Sequence, residues 1–211
     1  MKINLIGKGK VKVCEIFASI QGEGRQIGRP TVFIRTSGCN LRCTWCDTKY
    51  ALELGKEFAV DDIVSKVNEF NLSSVCITGG EPMIQLLPLK DLVKELKRIG
   101  YQVTLETNGT IYDEWVFNSV DCVSMDVKPP SSGEKSDLDI LKKLGLKDQV
   151  KVIIADDKDY DFAKEILKKT SVEVILQPLG GVKLKRIIDK VMDDRLDVRI
   201  LPQLHKIIGV R

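Results

Sequence analysis

Two hydrophobic rhythms alternate along most of the chain. Val60, Ile63, Val64, Val67 and Phe70 recur at the three-and-four spacing of one helix face, and Leu89, Leu92, Val93, Leu96 and Ile99 repeat it. The same spacing predicts later helices around Leu138/Leu141/Leu144, Ala163/Ile166/Leu167 and Leu184/Ile187/Ile188/Val191. Between them lie short apolar runs at 75–77, 103–105, 123–125, 150–154, 172–176 and 198–201. Runs this short and continuous read as strands buried on both faces. Strand, helix and strand repeated without hairpin signals imply right-handed crossovers and a parallel sheet.

The first 50 or so residues read mostly as Gly-rich loops around one strand at 31–35, which leaves room for about six strand–helix units. A complete eight-unit barrel takes about 250 residues. The expectation for 211 residues is therefore an α/β fold, a partial (β/α)6-like barrel of parallel strands, with 1–211 as a single domain. Ligands in such folds sit beyond the carboxyl ends of the strands. That directs attention to Thr78-Gly79-Gly80-Glu81-Pro82, Glu106-Thr107-Asn108-Gly109, Asp126-Val127-Lys128 and Gln177-Pro178.

Composition narrows the class. With 43% hydrophobic and 30% charged residues the chain has the balance of a folded protein. Its 33 Lys+Arg and 30 Asp+Glu are interleaved, and a net +3 gives no field that points to nucleic acid or to an anionic membrane. No run reaches the roughly 18 apolar residues of a membrane span, and Met1 to Lys8 is too short for a secretory core. The expectation is a cytoplasmic protein, in which six cysteines are better suited to metal binding or catalysis than to disulfides.

Three of those cysteines, Cys39, Cys43 and Cys46, form a C-x3-C-x2-C loop after a strand. Thiolates favour zinc, copper(I) or iron–sulfur centres. A structural zinc closes its shell with four protein ligands, whereas three thiolates on a four-iron cluster leave one iron open to a small molecule. Cys14, Cys76, Cys122 and the single histidine, His205, are the possible fourth ligands, and none forms a second metal-like pair. Spacing favours an iron–sulfur cluster, with zinc and incidental thiols as alternatives.

The cysteine loop together with Gly79-Gly80-Glu81-Pro82 resembles the radical S-adenosylmethionine (radical SAM) superfamily. That resemblance implies a 4Fe-4S cluster on Cys39, Cys43 and Cys46, with Gly80 and Glu81 holding the SAM amino group. Four further segments resemble one family, the 7-carboxy-7-deazaguanine synthases. The first is Ile20-Gln21-Gly22-Glu23 with Arg35 on the next strand, which implies substrate contacts, as does Thr78. A carboxylate and an amide match the donor edge of a pterin, and arginine can grip a carboxylate through two parallel hydrogen bonds. The second is Cys46-Asp47-Thr48, whose threonine implies a Mg²⁺ ligand; hard oxygens suit that ion. The third is Asp126-Val127-Lys128-Pro129-Pro130-Ser131-Ser132-Gly133, where either Ser124 or Asp126, with Lys128, implies SAM contacts, followed by Gln177 and Pro178. The last is the tail from Leu204 to Arg211, which implies a docked segment whose final residue binds substrate, with Ile207, Ile208 and Val210 as its apolar docking surface.

The resemblance implies a chemistry: one-electron cleavage of SAM, abstraction of hydrogen from C6 of 6-carboxy-5,6,7,8-tetrahydropterin, ring contraction and loss of ammonia to give 7-carboxy-7-deazaguanine. It also implies a place in 7-deazapurine (queuosine or archaeosine) biosynthesis, a reductant such as a flavodoxin or ferredoxin, and a homodimer. Two readings compete. A radical SAM activase of a glycyl-radical enzyme would share the cluster but not the Gln21/Glu23/Arg35 set or Thr48. A non-catalytic iron–sulfur or zinc protein would have no affinity for SAM. A hydrolase is disfavoured by the single histidine.

Overall fold

The computed structural model describes residues 9–181 and 184–210. Among them, nine strands form one sheet in the order β3-β1-β2-β4-β5-β6-β7-β8-β9. The strands are β1 (Lys10–Ile20), β2 (Pro30–Thr36), β3 (Lys56–Ala59), β4 (Ser74–Gly79), β5 (Gln102–Thr107), β6 (Cys122–Val127), β7 (Gln149–Ile154), β8 (Glu173–Pro178) and β9 (Arg199–Ile200). The helices are α1 (Val60–Glu69), α2 (Leu86–Ile99), α3 (Glu114–Ser119), α4 (Asp157–Leu167), α5 (Leu184–Asp193) and α6 (Leu204–Ile208). From β2 through β4 to β9 every pairing is parallel, and β3 and β9 are the open edges. This is a mostly parallel, unclosed α/β sheet.

Two expectations need correction, and two helices were not foreseen. The N-terminal segment is not mainly loop: β1 is an 11-residue strand, antiparallel to both β2 and β3. Its alternation is hidden by a register shift between Val13 and Glu15. Val11 and Val13 face the main core, whereas beyond the shift Ile16 takes that side and Phe17 joins a separate cluster with Phe33 and Cys76. A bulge adds one residue and so exchanges the two faces of a strand. The apolar spacing at Leu138 to Leu144 belongs to 3-10 turns at Leu138–Lys143 rather than an α-helix. Finally, the short α3 and α6 carry too few turns to leave a periodic signal.

The helical stripes bury over most of their length, although Phe70 and Ile99 at their carboxyl ends are exposed. Ile63, Val64 and Val67 of α1 and Leu89, Leu92, Val93 and Leu96 of α2 enter one core with Val75, Ile77, Val103, Leu105, Val123, Val150, Val152 and Leu176 from the strands. Burying each such side chain contributes about 1.5–3 kcal/mol, so truncating Leu92, which is fully buried, costs roughly 2–5 kcal/mol. The parallel strands are indeed buried on both faces, but the two faces differ chemically. The alternate positions are Cys76, Thr104, Ser124, Gln149, Lys151 and Gln177, all buried. A polar inner face means the concave side of the sheet is built to meet a polar ligand.

Candidate active site

A cavity of about 520 Å³ opens at the carboxyl ends of β4 to β7. One wall is the cysteine loop, with Cys39, Cys43, Trp45, Cys46 and Thr48. Phe17, Ile20, Gln21, Gly22, Glu23 and Arg35 line the cavity as well. So do Thr78, Gly80, Glu106, Asp126, Lys128 and Lys151, and Gln203, His205 and Lys206 contribute from the tail. The structure thus brings the three thiols, the proposed Mg²⁺ threonine and all the described substrate-binding candidates to one cavity. Arg211 lies outside the described residues.

All three loop cysteines are free and half-buried. Burial raises the Cys39 thiol pKa, partly offset by the Leu41 N–H and Asn108 Nδ2, which approach Sγ at 3.4 and 3.8 Å. Burial raises Cys43 likewise, against the pull of Lys128. The loop is held from outside: Thr44 donates from its N–H to the Ser132 carbonyl at 2.9 Å, Trp45 Nε1 donates to Ser131 Oγ at 3.0 Å, and the Arg42 N–H donates to Glu134 at 2.6 Å. Trp45 therefore covers the loop while anchoring it to the 130–134 turn.

The Gly79-Gly80 pair is required by crowding. Gly79 has φ +134°, and a Cβ there would lie 2.2 Å from the Thr36 carbonyl oxygen; a Cβ on Gly80 would lie 1.9 Å from that of Gly38. The end of β4 is thus pressed against the segment that launches the cysteine loop, and only glycine permits it. Glu81 is fully buried and does not line the cavity. Its carboxylate accepts from the Met83 N–H at 3.0 Å, Thr107 Oγ1 at 2.9 Å and the Asn108 N–H at 2.6 Å. Burial raises its pKa while these donors lower it. The side chain thereby ties the β4 turn to the end of β5.

Elsewhere in the lining the Phe17 and Phe33 rings stack, with centroids 5.2 Å apart, and the Arg35 guanidinium lies 5.6 Å from the Phe17 centroid. Arg35 Nε donates to Glu15 at 2.8 Å, which fixes the guanidinium plane. Gln21 is buried; its Nε2 approaches Cys76 Sγ at 3.7 Å and its Oε1 accepts the Glu23 N–H at 3.3 Å. Glu23 and Glu106 share Lys151, whose Nζ lies 2.6 Å from one and 2.5 Å from the other. Burial would raise the Glu23 pKa, but Lys151, Gln203 and His205 outweigh it and hold the group at about 2. For Glu106 burial prevails and the pKa rises despite Lys151. Burial opposes the Lys151 charge, yet Glu106, Glu23 and Asp126 raise its pKa well above the usual lysine value.

Ser124 and Asp126 share a face of β6 at different depths. Ser124 is fully buried, accepts from Gln149 Nε2 at 2.9 Å, and is not part of the cavity lining. Asp126 lines the cavity, pairs with Lys128 at 2.9 Å through Oδ2, and leaves a buried Oδ1 without a partner. Lys128 Nζ also lies 5.5 Å from the Trp45 ring centroid. Gln177 is fully buried with both side-chain amide atoms unpartnered, and Pro178 follows it at the buried end of β8. Unlike Asp126, neither Gln177 nor Pro178 lines the cavity, so the SAM contacts expected of them are not brought to it.

The tail docks by polar contacts, not by the apolar surface expected of it. Ile207, Ile208 and Val210 are exposed. Instead the Leu204 N–H donates to the Gly22 carbonyl at 3.0 Å, Gln203 Nε2 donates to Glu23 at 2.8 Å, and Lys206 pairs with Asp47 at 2.8 Å. His205 fills the space a Gly22 Cβ would need, since that atom would meet its Nδ1 at 2.2 Å. Burial lowers the His205 pKa against the opposing pull of Glu23. Sequence reasoning placed Glu106 in a strand-end segment without giving it a role, and it missed Phe17, Phe33, Lys151 and Gln203 as cavity residues; the one available signal for these was Lys151 itself, a charge within an otherwise apolar strand.

The residues fit an open-shelled cluster with a polar ligand beside it. Three half-buried thiols share the cavity with Asp126, whose buried Oδ1 has no hydrogen-bond partner. Comparison with known proteins agrees. Residues 33–180 match the Radical SAM superfamily, to which the chain belongs. A Thermoplasma acidophilum 7-carboxy-7-deazaguanine synthase is 42% identical over 201 residues, covering 93% of this chain and 96% of the relative. One from Methanospirillum hungatei is 38% identical, covering 95% and 86%. The crystal structure of QueE from Escherichia coli superposes with a TM-score of 0.77 at 25% identity, covering 97% of this chain and 99% of that one. Within the superfamily, the chain belongs to the 7-carboxy-7-deazaguanine synthases. Among the described residues no helix is long and apolar enough to cross a membrane.

Proposed function

We propose that the protein converts 6-carboxy-5,6,7,8-tetrahydropterin into 7-carboxy-7-deazaguanine and ammonia as a radical SAM lyase of 7-deazapurine biosynthesis. The observation that carries this reading is the one cavity lined both by the three thiols and by the Gln21/Glu23/Arg35 set. Cys39, Cys43 and Cys46 would hold a 4Fe-4S cluster, and Gly80, Asp126 and Lys128, which line the same cavity, would contact SAM. When bound, cluster and SAM supply a one-electron cleavage that generates a hydrogen-abstracting radical.

The chain's own residues then bind, orient and exclude water. The Phe17/Phe33 stack offers a flat apolar surface for a bicyclic ring. Glu23 accepts the ring's N–H donors. Arg35, held by Glu15, faces the carboxylate. Trp45 and the tail cover the two ends of the cavity. Glu81 acts one layer away by fixing the β4 and β5 turns, and Ser124 supports the cavity from beneath.

Thr48 Oγ1, 3.8 Å from Cys46 Sγ and on the cavity wall, would offer Mg²⁺ a hard ligand, with waters and substrate oxygens completing the shell. Family resemblance supports a flavodoxin- or ferredoxin-like reductant and a homodimer. The test is anaerobic reconstitution with iron and sulfide, then SAM, reductant and the carboxy-tetrahydropterin with and without Mg²⁺. A product with the mass of the substrate less NH₃, formed faster with Mg²⁺, is expected. Cleavage of SAM with the pterin untouched would leave the superfamily and remove this substrate. An activase would need no pterin floor, so the placement of Glu23 and Arg35 in the cavity favours the synthase.

A further inference from the structure

Lys151 is the least exposed charged group of the cavity, with its side chain 4% exposed. It rises from β7 between carboxylates carried by two distant segments: Glu23 in the turn after β1 and Glu106 on β5. One cation shared by two buried carboxylates leaves the group net negative, an arrangement that costs stability unless something else uses it. Asp126 and Lys128 pair with each other and do not relieve it. Glu23 is further oriented by Gln203 from the tail, so Lys151 holds one of its oxygens and Gln203 the other while the residue lines the cavity.

We propose that Lys151 is a positioning residue for substrate selection: its ammonium pairs with the Glu23 carboxylate and holds it aimed into the cavity, where that carboxylate accepts the amino and ring N–H donors of a 2-amino pterin. This rests on the substrate reading above and adds to it. An anion fixed at this place attracts the donor edge of a 2-aminopyrimidinone and repels the carbonyl of a 2-oxo analogue, so Lys151 governs discrimination between them. The other titratable or charged groups around the pair are Glu106 on β5, Asp126 and Lys128 at the end of β6, Cys76 on β4 and His205 on α6. Without the lysine, Glu23 and Glu106 would be two buried like charges with no cation between them, so the pair would retain a proton to higher pH. A proton shared across the pair weakens Glu23 as an acceptor, and the acceptor is regained as pH rises.

The test compares wild type with Lys151→Met and Lys151→Arg in the SAM-loaded, cluster-containing protein. Pterin and product affinity are measured by calorimetry from pH 6 to 9, and kcat/KM for the 2-amino substrate and its 2-oxo analogue. Lys151→Met is expected to raise KM and weaken pterin binding roughly 10-fold at pH 7, with affinity recovering toward pH 9. Its 2-amino over 2-oxo preference should fall by a similar factor, and Lys151→Arg should restore most of it. Unchanged affinity, or a loss equal at every pH and for both ligands, would overturn the proposal. Should the methionine variant not fold, carboxyl ¹³C NMR of wild type, with the Glu23 signal assigned through Glu23→Gln, decides instead. A signal ionised down to pH 4 supports the proposal, and ordinary titration near pH 4.5 overturns it. A wild type that binds no pterin refutes the functional reading, while the NMR still tests the Lys151–Glu23 relation.

Discussion

Asp159 grips Ser131 twice, accepting its backbone N–H at 3.0 Å and its hydroxyl at 2.6 Å. The same Ser131 oxygen accepts Trp45 Nε1, so the first turn of α4 is connected to the cysteine loop through two side chains. Asp159 is fully buried and also accepts the Ala155 N–H at 2.9 Å. Replacing it with alanine strands three part-buried donors. We expect Asp159→Ala to cost roughly 2–4 kcal/mol in denaturant unfolding and to lower the iron retained after reconstitution. Wild-type stability and iron content would disprove the connection.

Serine at Cys39, Cys43 or Cys46 should each abolish iron–sulfur absorbance and SAM cleavage, because a cluster with two protein thiolates is poorly held. Cys14 lies on β1 away from the cavity lining, and Cys14→Ser should retain both. Iron and sulfide analysis of the four variants checks the assignment.

Gly80→Ala tests the close approach of the β4 turn to the cysteine loop. The added methyl would fall 1.9 Å from the Gly38 carbonyl oxygen, a backbone atom that cannot swing away. Displacement of the segment leading to Cys39 is expected, with a loss of at least about 2 kcal/mol in stability and reduced cluster loading. Gly28→Ala, where an added Cβ meets nothing within 4 Å, isolates the strain of its positive φ from any clash. It should leave cluster loading intact.

The two carboxylates on Lys151 give opposite pH signatures. Glu23 is depressed to about 2 in the folded protein, so its contribution is present above the unfolded carboxylate range and is lost as pH falls from about 4.5 toward 2. Glu106 is raised, so the stability it contributes is full below that range and declines as pH climbs through its folded value. Glu23→Gln should therefore flatten the acid limb of the stability profile. Glu106→Gln should make the protein more stable than wild type at pH 8, with the advantage shrinking on acidification. Equilibrium unfolding across pH distinguishes these outcomes.

What the sequence revealed followed from contiguity. Cys39, Cys43 and Cys46 sit within eight residues, and the Gly79-Gly80 turn is a local requirement, so both could be read directly. The parallel strands were legible because their helix-facing residues form unbroken apolar runs. β1 was not, because its face exchange between Val13 and Glu15 destroys the period of two. The acidic floor was hidden for another reason: Glu23, Glu106 and Lys151 are brought together only by the order and register of β1, β5 and β7. Glu81 and Ser124 show the converse, since a motif position can be identified in sequence while its side chain turns into the scaffold.

The central claim is that a cluster held by three thiolates and a pterin held on the Glu23/Arg35 floor meet in one cavity. Deuterium placed at C6 of the carboxy-tetrahydropterin tests it most directly, in an anaerobic turnover with SAM and reductant analysed by mass spectrometry. The account predicts deuterium in the 5′-deoxyadenosine released, alongside 7-carboxy-7-deazaguanine. Release of unlabelled 5′-deoxyadenosine with the pterin recovered intact would contradict it.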